Sequence, residues 1–148
     1  MAAQSTFLRM SNPFMKALLR SPMHGVLSRN YMLITVTGRK SGKSYTTTVN
    51  FLRHGELLEV VSLRERTWWR NLRSGAPVTL RLQGKVVPGW GTVIEAEQEV
   101  AEALAAYLQL APKVAKYMGV TLDSGGQPRQ ADTLLAARTR VMVEVKLS

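Results

Sequence analysis

Arg39, Lys40 and Lys43 stand within one short stretch, with Ser41 between them and the glycines Gly38 and Gly42 alongside. Three cations, a hydroxyl and glycine-freed backbone amides form a set that suits a phosphorylated or otherwise anionic ligand. A solvated basic turn would carry the same charges. Other chemistries are closed off by composition. The chain contains no cysteine, which excludes disulfides, thiolate metal sites and cysteine nucleophiles. Its two histidines, His24 and His54, are far apart and lack metal-ligand spacing.

The basic stretch lies between two runs of β-forming residues, Tyr31–Thr37 and Tyr45–Arg53, so a hairpin gathers its cations at one tip. Further strands are expected over 57–62, 78–82, 86–94 and 139–147, with turns at His54-Gly55 and Gly84-Lys85 and a bulge at Pro88-Gly89. The strand 139–147 alternates apolar and polar residues and should bury one face. Thr67–Ser74 predicts a short helix with Thr67 as its N-cap, ended by Gly75. There Trp68 and Trp69 would point about 100° apart, one into the core and one towards a ligand pocket or a second subunit. Trp90, between Gly89 and Gly91, is expected to plug the core. Glu97–Leu110 is rich in Ala, Glu and Leu and predicts a helix, continued after a kink by Pro112–Met118. Leu122–Ala131 reads as a loop. Ahead of all these, Asn12-Pro13 starts an amphipathic basic helix within an N-terminal segment, residues 1–28. The sum is an α+β, mainly β, chain: one domain over 1–148, a small barrel of about six strands with an N-terminal helix and a helix after the fifth strand.

The chain has 148 residues and a formal net charge of +10, unevenly spread. No Asp or Glu precedes Glu56, whereas eight Lys or Arg do. This asymmetry points to an anionic partner at the N-terminal third: a phosphate-bearing cofactor, nucleic acid or an anionic membrane surface. Against nucleic acid, the cations are not interleaved with aromatic residues on adjacent strands. No apolar run is long enough to span a bilayer. The opening Met1-Ala2-Ala3-Gln4 lacks the features of a secretory signal, so a cytoplasmic setting is expected, with peripheral membrane contact through the N-terminal helix as a variant.

Within this frame, Leu33-Ile34-Thr35-Val36-Thr37-Gly38-Arg39-Lys40-Ser41-Gly42 resembles the signature opening of the deazaflavin-dependent nitroreductase family, in the split β-barrel flavin-reductase-like class. Trp68-Trp69-Arg70-Asn71-Leu72 followed by Pro77-Val78 is similar to the family's helix and next strand, and Val60-Val61-Ser62 to its strand end. The match runs from about Tyr31 to Leu82. After Lys43 stand Ser44, Tyr45 and Thr46, where the family usually carries a further arginine. After Ser62, Leu63-Arg64-Glu65-Arg66 is shorter than the usual loop.

The resemblance implies a split barrel that holds coenzyme F420, a phosphate-tailed deazaflavin that transfers hydride. Arg39, Lys40, Ser41, Gly42 and Lys43 would grip its phosphates and acidic tail. Ser62 would hydrogen-bond the ring edge, Arg64 and Arg66 would reach a carboxylate or phosphate or else stay solvated, Trp68 would line the ring pocket, and Tyr117 would donate a proton or orient a substrate. A homodimer is also implied. Three functions stay open: an F420H2-dependent reductase of quinones, nitro compounds or activated enones; a related barrel binding FMN or another planar or lipid ligand with little catalysis; and a basic binder of nucleic acid or membrane surfaces.

Overall fold

A computed structural model describes residues 31–148. The expected helix after Asn12 and its membrane contact lie outside the described residues. Seven antiparallel strands form one sheet: β1 (Tyr31–Thr37), β2 (Ser44–Asn50), β3 (Leu52–His54), β4 (Leu57–Leu63), β5 (Ala76–Leu82), β6 (Lys85–Ile94) and β7 (Arg140–Leu147). Their order across the sheet is β2-β1-β5-β6-β7-β4-β3. The expected second strand is therefore two. Its first part pairs with β1, its last part with β4, and the buried Phe51 lies between them. Because β2 and β3 are the two edges of the sheet yet neighbours in the chain, the sheet must curl until its edges approach. The result is a split barrel.

Alternating side chains fill that curl. Ile34, Val36, Leu58, Val60, Val78, Leu80, Val141 and Val143 point inward and join Trp68, Trp69 and Leu72 in one core. The outer face near β4 and β7 is covered by α1 (Glu97–Leu110) and α2 (Gln130–Ala137). Val100, Leu104, Leu108 and Ala137 there pack with Met142 of β7 in a second core. So β7 buries both faces at its centre, not one, because it lies between barrel and helices.

Several local expectations change. The Trp68–Leu72 segment is a turn of 3-10 helix, and Thr67 makes no side-chain cap. Pro112–Met118 is likewise 3-10, closed by Gly119 in the left-handed conformation. The loop expected over 122–131 gives way at Gln130 to α2. No bulge interrupts β6 at Pro88-Gly89: Thr79 faces Pro88 and Val78 faces Gly89 in unbroken register. Trp90 is not a plug. It is 50% exposed and lies across Gly75, where any Cβ would come within 2.6 Å of its indole nitrogen. Among the described residues, no helix is long and apolar enough to cross a membrane.

Candidate functional site

The basic hairpin tip is tightly built. Gly38 N–H donates to the Lys43 carbonyl (2.8 Å), and Gly42 N–H to the Gly38 carbonyl (2.9 Å). Gly42 holds a φ of 71°, which favours glycine. Its amide is thus engaged within the loop, contrary to the expectation that it would face a ligand. Ser41 Oγ accepts from Lys43 N–H (3.2 Å) and shares a hydrogen bond with the Tyr45 hydroxyl (3.2 Å). The tip is tied to the tryptophan helix by Arg39 N–H donating to Asn71 Oδ1 (3.1 Å). Asn71 is fixed in turn by its amide nitrogen donating to the Trp68 carbonyl (3.1 Å).

This tie borders an open cavity of about 770 Å³ between tip and helix. Arg39, Lys40, Ser41 and Trp68 line it, joined by Arg70 and Arg73, which the sequence reading did not single out. Lys43 and Gly42 do not line it. Arg70 and Arg73 flank the buried Trp69, their guanidinium carbons 5.6 and 5.2 Å from the ring centroid. Arg73 also forms a two-point salt bridge with Glu95 (2.9 and 2.8 Å), and this hydrogen bonding holds the Glu95 carboxyl below its ordinary range. No lining residue among those described is acidic. Residues 1–55 contain no carboxylate at all. The cavity is cationic, which fits an anionic tail.

Both tryptophans of the helix are buried, and the buried Trp68 Nε1 donates to Ser62 Oγ (3.2 Å) at the end of β4. Ser62 lines a second cavity of about 560 Å³, together with Val61, Arg66, Tyr107, Tyr117 and Arg140. The Trp68–Ser62 hydrogen bond thus joins the linings of the two cavities. Tyr107, on α1, is buried, and that burial pushes its phenol pKa up. Tyr117 is 74% exposed at the rim. Burial lowers the pKa of Arg140. Arg64 lies in neither lining. Its Nη2 donates to the carbonyls of Glu95 (2.8 Å), Ala137 (3.1 Å) and Arg140 (2.8 Å). Its guanidinium fastens the ends of β6, α2 and β7 to one another. Among the described residues, no group of three or more His, Asp or Glu could hold a metal ion.

The profile of the F420H2-dependent quinone reductase family matches residues 18–122. The chain belongs to this family. It is an oxidoreductase, its cofactor is coenzyme F420, and the cationic cavity beside Trp68 is chemically suited to that cofactor's acidic tail. No curated protein matches the chain. Among solved structures, the fold is similar to a pyridoxamine 5'-phosphate oxidase-related, FMN-binding protein from Nostoc punctiforme. That match has 13% identity and a TM-score of 0.53, over 90% of this chain and 77% of that one. A structure described as a domain-swapped dimer is 18% identical, with a TM-score of 0.52 over 97% of this chain and 99% of the other. An F420 reductase is 17% identical over 90% of this chain and 92% of its own, at a TM-score of 0.45. The first two likenesses place this family member in the split-barrel fold.

Proposed function

We propose that the protein transfers hydride from reduced coenzyme F420 to a small acceptor, a quinone in the first place and nitro compounds or activated enones as further candidates. The carrying observation is the cationic cavity between Arg39-Lys40-Ser41 and the tryptophan helix, beside a second cavity of mixed aromatic and cationic lining. The tail occupies the first and the deazaflavin ring the second, with the acceptor entering past Tyr117. When bound, the cofactor supplies the hydride; the protein binds, orients and excludes water. Arg39, Lys40 and Arg70 hold anionic groups. Ser62, fixed by Trp68, offers its hydroxyl to the ring edge, and Tyr117 can hold a proton at the rim. The whole-length likeness to a domain-swapped dimer supports a homodimer as the assembly.

Fluorescence titration with coenzyme F420 and with FMN at about 0.15 M salt tests this reading, because charge attraction beyond roughly 8 Å is screened there. F420 should bind the more tightly, since a tail with several anionic groups engages more of the cavity's cations than one terminal phosphate does. Equal or tighter FMN binding would favour a flavin barrel instead.

A further inference from the structure

Most polar side chains of the cavity below Tyr117 already have their hydrogen-bonding groups engaged. Ser62 Oγ accepts from Trp68 Nε1 and donates to the Leu63 carbonyl (3.2 Å), so its one proton is committed. Arg66 donates to Thr47 on β2, and Arg140 turns its Nη1 back to the Ala136 carbonyl and the Thr139 hydroxyl. Tyr117 is 74% exposed, with the Lys116 ammonium 5.2 Å from its ring centroid. Water competes for any hydrogen bond that its hydroxyl makes there.

Tyr107 differs from all of these. It stands in the last turn of α1, where Ala111 N–H donates to its carbonyl (2.9 Å). Its side chain packs in the second core with Leu104, Leu108 and Met142. It is 5% exposed, and it lines the cavity. Its hydroxyl has no hydrogen-bond partner among the described residues. A buried hydroxyl without a partner is costly, and a ligand in the cavity is positioned to supply one. Behind it lies the buried Glu59, bonded to His54 and paired across the sheet with Glu144. Glu59 shares the α1-facing side of β4 with Val61, which lines the same cavity. Burial first, and then the charge of Glu59, push the Tyr107 phenol pKa up. A phenol so placed keeps its proton and can donate it in a hydrogen bond.

We infer that the Tyr107 hydroxyl is the hydrogen-bond donor that fixes a neutral carbonyl oxygen of the molecule reduced in this cavity. The inference rests on placing the hydride acceptor there. The hydrogen bond orients the acceptor and draws electron density from its carbonyl carbon, which favours hydride addition. Tyr107 begins and ends the reaction as the phenol, and no proton leaves it.

Isotope-edited infrared spectroscopy tests this. The probe is naphthoquinone with isotope-labelled carbonyls, bound to the full chain saturated with oxidised coenzyme F420, from which no hydride can come. In the unaltered protein one carbonyl stretch should lie at lower frequency than in Tyr107→Phe, and the variant should bind the probe about threefold to tenfold more weakly. With reduced cofactor, Tyr107→Phe should lose at least about tenfold in kcat/KM. Its solvent isotope effect should stay unchanged, since no proton is taken from this residue. A stretch identical in the two proteins overturns the inference, as does a lowered stretch that survives Tyr107→Phe and vanishes in Tyr117→Phe. A changed solvent isotope effect overturns the donor-only role. If Tyr107→Phe does not fold, Glu59→Gln keeps the phenol and removes the charge behind it. That variant should make the phenol a stronger donor and lower the stretch further, and an unmoved stretch overturns the inference equally. Fluorescence titration separates the two layers. Failure of the unaltered protein to bind F420 removes the reading of the cavities, whereas tight F420 binding with the probe unbound or unshifted removes the role of Tyr107 alone.

Discussion

Lys40 and Lys43 are three positions apart, yet the structure gives them different work. Arg39 and Lys40 line the cationic cavity, and Lys43 does not. Replacing Arg39 and Lys40 together with alanine should weaken F420 binding by at least about tenfold, since each charge-assisted contact contributes roughly 1.5–3 kcal/mol. Lys43→Ala should cost less than about threefold, a long-range charge effect only. Fluorescence titration of both variants checks the contrast, and equal losses would refute it. The loop cations were legible because glycine, serine and basic residues sit side by side between two β-runs. Arg70 and Arg73 were not. On a short helix they read as solvated charges, and only the contact between Arg39 and Asn71, distant in sequence, brings them over the cavity. Arg64 was misleading for the opposite reason: nothing in sequence spacing announces three carbonyls drawn from three elements.

At the scale of elements, the hairpin and the tryptophan helix act as two jaws held by one side chain. Asn71→Ala removes both the hydrogen bond to Arg39 N–H and the one that fixes Asn71 itself. Asn71 is only partly buried, so the loss of stability should be modest, about 0.5–1.5 kcal/mol for a hydrogen bond. F420 affinity should fall several-fold, because the jaw carrying Arg39 and Lys40 loses its stop. A thermal melt alongside the titration distinguishes this from unfolding; unchanged affinity would show that the jaws are positioned by other contacts. Strand positions were largely readable from β-runs and turn residues. The break at Phe51 was not, because an inward aromatic continues a β-pattern even where the strand changes partners. Helix α2 was missed because it is short and starts at Gln130 after Arg129, which offers no side-chain cap, straight after a glycine- and proline-containing loop.

At the scale of the whole molecule, the most unusual electrostatic feature is a pair of carboxylates between β4 and β7. Glu59 and Glu144 face each other across β4 and β7. Glu59 is buried and bonded to His54 Nε2 (2.5 Å). Burial, and then the charge of Glu59, push the Glu144 carboxyl above its ordinary range. A raised folded-state pKa means that the folded protein holds this proton more tightly than the unfolded chain. The associated stabilisation is full below the unfolded value and is lost as pH rises through the folded one. Glu144→Gln, neutral throughout, should therefore raise the melting temperature near pH 8 and show a smaller gain near pH 4, about the ordinary glutamate value. Melts at the two pH values decide it, and an identical gain at both would refute the assignment. None of this was visible in sequence, since the pairing of β4 with β7 spans most of the described chain and no local pattern specifies it.

That same closure gives the barrel a seam. The two margins of the sheet, β2 and β3, are separated along the chain by Phe51 alone, so a single residue bridges the open side of the wall. Seven strands at about 4.8 Å give a girth of roughly 34 Å, and there is no slack in the joint to lengthen it. The jaw that lines the cationic cavity hangs from β1 and β2, on one side of this seam, while Ser62 lies near the end of β4 on the other. The spacing between the cationic cavity and the one at Ser62 is thus held across this joint, and through Phe51 the core itself acts as a ruler for any two-part ligand that spans both.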